Sequence, residues 1–472
     1  MITPVVRRGK GTIVVAVAAA SALLGGCVTV DPQQSVRQLE KSVPGFGAES
    51  LQFLSEVQRP EDRREAVKDL LAKPLGQTEA VRVAMLNSAA LQALVARQWA
   101  EIAAAAQSGR IGNPWFNYER MRSEDHLEIS RMLSFGVLEL LTLPQRQRIA
   151  AESRRAAELQ LAAAVVDEVT QIRQAWVNAV ASAQSAAYAE RILQSAQASA
   201  ELARRMEAAG NFNRIARARQ QAYEAEAVTS QALARQAASV AREQLIRKLG
   251  LDTVQAEALQ LPQRLPDLPT AAIEAARVSQ AASGSRLDVQ LAEAQLRSSM
   301  RAEGLGELTS RTDIELGLRR EAGDGARGFE VDLRLPVFDW GGLQRQGYRA
   351  RSLAAAQQLE ATVREAGSQM RESYVRYLTA YELARHHREE LLPLRTVISE
   401  ETLLRYNGMF IGVFELLADA RDQIDTVRAV ISAEQQFWLA EAALQSAIVG
   451  RPTTGSPDSL MRAPAAADAA AH

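Results

Sequence analysis

Few side chains in this 472-residue sequence have the types and spacing that catalysis or metal binding requires. The thiols are confined to one cysteine, Cys27, and the histidines are His126, His386, His387 and His472. Cysteine, histidine and acidic residues do not recur at metal-ligand spacing. The sequence has no phosphate-binding glycine loop with a Walker lysine, and no serine or cysteine in a nucleophile motif. We therefore predict no enzyme active site and no cofactor.

The one thiol, at Cys27, directly follows a segment typical of a secretory signal. A positive start at Arg7–Lys10 precedes an apolar stretch, Thr12–Leu24, that is too short to cross a bilayer as a helix. A single cysteine cannot form an internal disulfide. An incidental or buried cysteine is the alternative, but a position directly after the apolar stretch and two glycines favours lipidation.

The sequence Leu24–Cys27 resembles a bacterial lipobox, in which the cysteine is acylated after cleavage and becomes the mature N-terminus. The resemblance implies a signal peptide over residues 1–26 and a covalent lipid on Cys27. Inner-membrane lipoproteins often have aspartate at the next position, where this sequence has Val28. The resemblance therefore implies lipid anchoring in the bacterial outer membrane.

The composition is typical of long helices packed through small residues, because aromatic residues make up only 5% of the chain. The net charge of −1, without a long basic run, argues against nucleic acid as a partner. After the signal, the sequence has no run of ~18 apolar residues that could form a transmembrane helix. A membrane-spanning part would therefore have to be a closed β-barrel.

Glycine turns separate very long helical patterns. One turn lies at Gly210, between helical stretches at about 144–209 and 213–249, and the other lies at Gly408. Apolar residues recur every seven positions along these stretches, which indicates coiled-coil packing. Pro393 is expected to kink the helix that leads to the second turn.

Period-two alternation before each hairpin predicts four strands, at about 113–121, 127–138, 312–320 and 329–338. One face of these strands is apolar, although Arg131 interrupts it, and we interpret this arginine as lying near a lipid headgroup boundary. The other face is polar and would line water. Its charged residues are Glu128, Glu315, Glu330, Asp332 and Arg334.

The chain repeats itself with an offset of 198 residues, which places Trp176 on Tyr374 and Gly210 on Gly408. Each repeat reads helix, strand hairpin, long helix, long helix, and Thr78 is the expected N-cap of the first helix. The predicted segments are an N-terminal lipid-anchored segment at 27–76, repeat 1 at 77–252, a linker at 253–269, repeat 2 at 270–450 and a disordered tail at 451–472.

These patterns predict a mainly α-helical protein with a small membrane β part. Four strands cannot close a membrane barrel in one chain, and their edges would be unpaired in lipid. Three chains would supply twelve strands, with their helices forming a tube below.

With this arrangement, the sequence resembles the TolC-type outer membrane efflux proteins, which serve tripartite pumps and secretion systems. The resemblance covers about residues 75–450. It rests on Leu335–Gly342, similar to the strand-end motif of that family, on the turn Tyr406–Gly408 with Phe414–Ala418 behind it, and on Leu392-Pro393. The first repeat departs from the pattern at Leu140–Pro144, which lacks the Asp-aromatic-Gly-Gly step.

The resemblance implies a homotrimer with a twelve-stranded barrel on an α-helical periplasmic tunnel. It also implies an inner-membrane pump and a periplasmic adaptor protein that docks on the hairpin tips. The carried-over docking residues are Gly210, Asn211, Phe212, Gly408, Met409 and Phe410. The glycines could equally serve the turns alone, and the apolar residues could be staples within each hairpin.

Charges of opposite sign follow the two turns, with Arg214 and Arg217 after the first and Glu415 and Asp419 after the second. One hypothesis is that these charges pair between neighbouring helices and hold the tunnel entrance closed. A solvated helix face is the competing interpretation, and surface pairs contribute only ~0–1 kcal/mol each.

The leading functional prediction is a passive outer membrane channel for export, whose cargo the sequence does not identify. The alternative is a lipid-anchored periplasmic coiled-coil scaffold without a pore. Strands with one apolar face favour the channel, because a scaffold has no need of them.

Overall fold

The computed structural model describes Phe46 and residues 60–122, 127–283, 286–310, 313–322, 327–334 and 337–453. The predicted signal peptide, Cys27 and all but the first residues of the tail predicted at 451–472 lie outside this part of the chain, as do Leu335 and Pro336 of the motif that resembles the family's.

The first half of the described chain contains one strand hairpin and one long helical hairpin. Its elements are α1 (Pro60–Leu71), α2 (Gln77–Asn87), α3 (Ala89–Gln107), β1 (Trp115–Arg122), β2 (Leu127–Gly136), α4 (Val137–Leu141), α5 (Leu143–Ala208) and α6 (Arg214–Leu249). At 1.5 Å per residue, the 66 residues of α5 extend for about 100 Å.

The second half has the same order of strands and long helices. Its elements are α7 (Thr253–Ala258), α8 (Ala275–Ser283), α9 (Leu287–Thr309), β3 (Asp313–Ala322), β4 (Arg327–Arg334), α10 (Gly342–His386), a π-helical turn (His387–Leu391), α11 (Leu392–Asn407) and α12 (Val413–Ile448). This π-helical turn interrupts the α-helix directly before Pro393, where the sequence predicts a kink. Proline removes a backbone donor and clashes with the carbonyl four residues earlier, which disfavours continuous α-helical hydrogen bonding here.

Ser88 divides the first predicted helix in two. Its side chain accepts a hydrogen bond from the Leu91 backbone N–H at 3.4 Å and so caps α3. The N-cap predicted at Thr78 is wrong: α2 begins at Gln77, Thr78 lies within it, and Gly76 precedes it without a side-chain cap.

The two strand-to-helix corners differ, as the sequence difference at Leu140–Pro144 suggests. In the second half, Asp339 Oδ1 accepts a hydrogen bond from the Gly341 N–H at 2.8 Å, and Gly341 adopts a φ of +69°. The first half has no such step, and its chain turns through α4 instead. Strand β2 therefore ends at Gly136, and Val137, expected in the strand, starts that helix.

Helix α5 packs against α3, α6, α9 and α12 and carries much of the core. Trp176 lies in its middle with 1% of its surface exposed, and its indole Nε1 donates to the Leu75 carbonyl at 2.7 Å. In the second half, the Tyr374 hydroxyl donates to the Ile273 carbonyl at 3.1 Å. Both bonds span 101 residues. Among the described helices, none is sufficiently long and apolar to cross a membrane.

The strands form one antiparallel sheet in the order β1-β2-β3-β4. The register pairs Leu133 with Phe116 on one side and with Leu318 on the other, and Leu318 pairs with Phe329. Directly opposite residues share a face, so these apolar positions form one row across all four strands. The period-two pattern thus predicts which residues share a face of the sheet.

Candidate functional site: the hairpin tips and the sheet

The turn between α5 and α6 is closed by backbone hydrogen bonds around a left-handed glycine. Gly210 has a φ of +78°, and the Asn211 N–H donates to the Met206 carbonyl at 2.8 Å. This conformation favours glycine because it has no Cβ. Asn213 then caps α6, with its side-chain oxygen accepting from the Ala216 N–H at 2.8 Å.

The turn between α11 and α12 repeats three of these backbone hydrogen bonds, shifted by one residue from the predicted equivalence. Its left-handed residue is Met409, with a φ of +61°, whereas Gly408 has a φ of −80°. The Phe410 N–H donates to the Arg405 carbonyl at 2.9 Å, as Asn211 does to Met206. The offset at the turns is therefore 199, and the conformational partner of Gly210 is Met409 rather than Gly408.

Gly408 serves a different purpose, namely close approach of an aromatic ring. A Cβ on Gly408 would lie 2.8 Å from the Phe410 ring. Any larger residue would push this ring away from the turn. Both apolar side chains of the turn face solvent, because Met409 is 92% exposed and Phe410 is 85% exposed.

Phe212 is only half-buried, and it contacts the other hairpin. Its ring stacks on that of Phe414, with centroids 5.0 Å apart and planes 15° apart. The two hairpin tips therefore lie side by side in one chain. Further exposed apolar side chains near the tips are Ile215 and Leu404.

Two of the predicted charges behind the tips, Arg217 and Asp419, pair with a residue on the other helix of their own hairpin. Arg217 Nη1 lies 2.6 Å from Glu207 Oε2, which joins the ends of α5 and α6. Asp419 Oδ1 lies 3.8 Å from Arg395 Nη1, which joins α11 and α12. Arg214 and Glu415 are exposed. Asp419 is 9% exposed, and its Oδ2 has no hydrogen-bond partner within the described part of the chain.

Contacts between the two hairpins were not predicted from the sequence. The Arg421 guanidinium lies 4.1 Å from the centre of the Tyr223 ring, a cation–π contact between α12 and α6. The Arg428 guanidinium donates to Ser230 Oγ in the same region. The spacing of 198 between Ser230 and Arg428 equals the repeat offset, but an offset alone does not indicate contact.

The register places the predicted water-facing charges on one face of the sheet. Glu315 pairs with Asp332, Glu330 with Gly317, Arg334 with Asp313 and Glu128 with Met121. A Cβ on Gly317 would lie 3.3 Å from the Met132 sulfur and 3.5 Å from Glu330 Cβ, so this face is crowded at its centre. Over the described residues, no group of histidine, cysteine and acidic side chains is arranged to hold a metal ion.

Neither protein-family models nor curated proteins gave a match to this sequence. Solved structures do match. The outer membrane protein VceC from Vibrio cholerae aligns over 79% of this chain and 96% of its own, with 16% identity and a TM-score of 0.66.

Two further channels give similar values. The CmeC outer membrane channel of Campylobacter jejuni covers 84% of this chain and 88% of its own, with 13% identity and a TM-score of 0.66. The MtrE outer membrane channel of Neisseria gonorrhoeae aligns over 82% of this chain and 91% of its own, with 18% identity and a TM-score of 0.61. The chain thus has the fold of outer membrane channels, as its resemblance to TolC-type outer membrane efflux proteins predicts.

Proposed function

We propose that the protein is a trimeric outer membrane channel that exports substrates from a tripartite efflux or secretion system. The observation that carries the proposal is the two-faced sheet on a body with the fold of outer membrane channels. One face of the sheet is apolar and suits lipid. The other face is rich in carboxylates and suits water.

The unpaired edges of the sheet support a trimer. Strands β1 and β4 each pair on one side only within the described chain. Unpaired backbone groups in lipid cost several kcal/mol each, and known single-chain barrels have at least eight strands. Three copies would join β1 of one chain to β4 of the next and close a barrel of twelve strands, whose lumen the carboxylates would line.

The hairpin tips would dock a periplasmic adaptor protein, and Met409 is the strongest argument. A left-handed conformation costs a residue with a Cβ about 1–2 kcal/mol, and glycine would avoid this cost. Instead the position holds a methionine with its side chain in solvent, beside an exposed phenylalanine. Met409 thus combines a strained backbone conformation with an exposed apolar side chain. This combination supports a binding role for Met409 and Phe410.

The adaptor would connect the channel to an inner-membrane pump, which would supply the energy for transport. Phe212 would act differently from Met409, because its stacking on Phe414 fixes one tip against the other. Gly210 and Gly408 shape the two turns, and Asn211 is exposed beside the first.

The charged residues behind the tips would hold the resting entrance together. Arg217 and Asp419 already pair within their hairpins, so each hairpin is closed on itself. The exposed Arg214 and Glu415 would be available to a neighbouring subunit. Loss of these contacts would allow the hairpins to separate.

A membrane wash without the lipid anchor tests the channel. The lipoprotein signal would be replaced by a cleavable one, and Cys27→Ser would abolish acylation at the membrane. Isolated outer membranes would then be extracted with alkaline carbonate. We expect the protein to remain in the membrane, to size as a trimer and to conduct ions in planar bilayers. Release of folded protein by the wash would overturn the proposal in favour of a lipid-anchored scaffold.

A further inference from the structure

The apolar face of the sheet becomes basic toward the turns that join β1 to β2 and β3 to β4. The row formed by Phe116, Leu133, Leu318 and Phe329 is apolar. The next row on the same face, two residues closer to the turns, is Tyr118, Arg131, Arg320 and Arg327. We call the arginines of this second row the arginine row. The change takes place within about 7 Å, the rise of two strand residues.

The arginines of this row lie directly opposite one another in the ladder. Arg131 pairs with Arg320, and Arg320 pairs with Arg327. Directly opposite residues have Cβ atoms about 5 Å apart, and like charges at that spacing destabilise a sheet. An anion bound between adjacent guanidinium groups would relieve this repulsion.

The sheet itself does not provide that anion on this face. The remaining described positions of the face are apolar, aromatic or arginine, and none is acidic: Phe116, Tyr118, Arg120, Arg122, Leu127, Ile129, Leu133, Phe135, Ile314, Leu316, Leu318, Ala322, Phe329, Val331 and Leu333. The nearby carboxylate of Glu119 lies on the opposite face, because its ladder partner is Ser130. Arg131 and Arg320 are both exposed.

We propose that the arginine row binds the phosphate groups of a phosphorylated outer-leaflet lipid. This inference rests on the proposed function, in which the apolar face contacts lipid. The guanidinium group suits phosphate because it donates two parallel hydrogen bonds in one plane. The apolar row beside it would contact the acyl chains, so the site recognises a phosphate at the end of an apolar body.

The charge complementarity selects this occupant over a zwitterionic or neutral lipid. A basic residue near an anionic membrane surface contributes roughly a fivefold change in affinity. Arg131 and Arg320 together should therefore give about a 25-fold preference for a phosphorylated over a dephosphorylated lipid.

The test uses the full-length protein in neutral detergent, titrated with diphosphorylated lipid A and with the same lipid after dephosphorylation. The variants are Arg131→Gln/Arg320→Gln, which removes the two exposed charges of the row, and Arg131→Lys/Arg320→Lys, which keeps them. Arg319→Gln is the matched control, since Arg319 adjoins Arg320 on the opposite face, paired with Met132 and Gly328. Inorganic phosphate serves as a competitor.

We expect the native protein, the lysine variant and the control to prefer the phosphorylated lipid, and the glutamine variant to lose most of that preference. Inorganic phosphate at the concentration of the lipid should not displace it. Equal binding of both lipids, an unaffected glutamine variant, or displacement by equimolar phosphate would overturn the inference. The carbonate wash separates the two proposals: retention without a phosphate preference rejects only the arginine row, whereas release rejects both.

Discussion

Phe212 and Phe414 stack with their ring centroids 5.0 Å apart, although 202 residues separate them in the chain. Phe212 belongs to the first turn, and Phe414 is the second residue of α12. This contact joins the two hairpin tips at the point where the proposed adaptor would bind. The geometry of the tip therefore depends on both halves of the chain together.

Replacing either ring by alanine should loosen the contact between the tips. An aromatic pair of this geometry contributes about 0.5–1.5 kcal/mol beyond the area it buries. In a double-mutant cycle of Phe212→Ala and Phe414→Ala, we expect a coupling energy of about 1 kcal/mol. Hydrogen exchange of the amides in both turns would measure it, and additive effects of the two substitutions would contradict the prediction.

The left-handed positions of the two turns should respond to substitution with opposite signs. Met409→Gly should stabilise the protein by about 1 kcal/mol, because it relieves a positive φ, while weakening adaptor binding. Gly210→Ala should destabilise it by a similar amount, although a Cβ there meets no atom within 4 Å. Thermal unfolding and adaptor titration would separate the effects, and unchanged adaptor affinity in Met409→Gly would argue against docking through this side chain.

The sequence predicts the two turns but not which residue of each is strained. Glycine content places turns at Gly210 and Gly408, and both lie in the loops observed. The left-handed residue is set by where α11 ends, and α11 continues through Asn407, which moves that residue to Met409. Contacts such as Arg217 with Glu207 depend on side-chain choice among several nearby charges, which spacing does not decide.

The strands show what periodicity can and cannot predict. Alternation places Leu133 and Glu330 on opposite faces of the sheet, and the register agrees. The row of Arg131 and Arg320 could not be predicted, because pairing across strands depends on register as well as face. The apolar side chain of Val137 continues the alternation and predicts a strand position, yet Leu138–Leu141 are good helix formers and draw it into a helical turn.

The two long-range bonds of the helical body should contribute unequally to stability. Trp176→Phe removes the donor to the Leu75 carbonyl in a fully buried site and leaves a cavity, so we expect a loss of about 2–4 kcal/mol. Tyr374→Phe removes the equivalent donor to Ile273 from a half-buried site and should cost about 1 kcal/mol. Thermal unfolding in detergent would measure both, and equal losses would contradict the difference in burial.

The buried carboxylate of Glu434 should give a recognisable pH dependence. Its pKa is raised above the ordinary glutamate value, because burial outweighs the attraction of Arg388 at 2.7 Å. A raised pKa in the folded state means that the contribution to stability is fully present below the unfolded pKa and is lost as pH rises through the folded pKa.

Glu434→Gln removes this titration and leaves all other titratable groups in place. Any pH-dependent difference between native protein and variant is therefore due to Glu434. The difference in unfolding temperature between native protein and variant should become more favourable to the native protein as pH falls through the raised pKa. Arg388 keeps Asp267 as a partner in the variant, so the fold should persist. A difference that instead grows with rising pH would show that the ionised carboxylate stabilises the fold.

The carboxylates of the polar face should make the proposed channel prefer cations. Glu315 and Asp332 are directly opposite one another in the ladder, and both are exposed in the single chain. In a trimer this pair would recur around the lumen and raise the local concentration of cations. Glu315→Gln/Asp332→Asn should therefore lower the cation preference, measured as the reversal potential in a salt gradient across a planar bilayer.

Two controls test this effect: the salt concentration, which screens the charges, and removal of the same charge at a position away from the strands. The Debye length falls from about 10 Å at 0.1 M salt to about 3 Å at 1 M, so the difference between native protein and variant should shrink at high salt. Glu61→Gln/Glu65→Gln removes the same charge from exposed positions on α1, far along the chain from the strands, and should leave the reversal potential unchanged. If both double variants shifted it equally, net charge rather than the polar face of the sheet would determine selectivity.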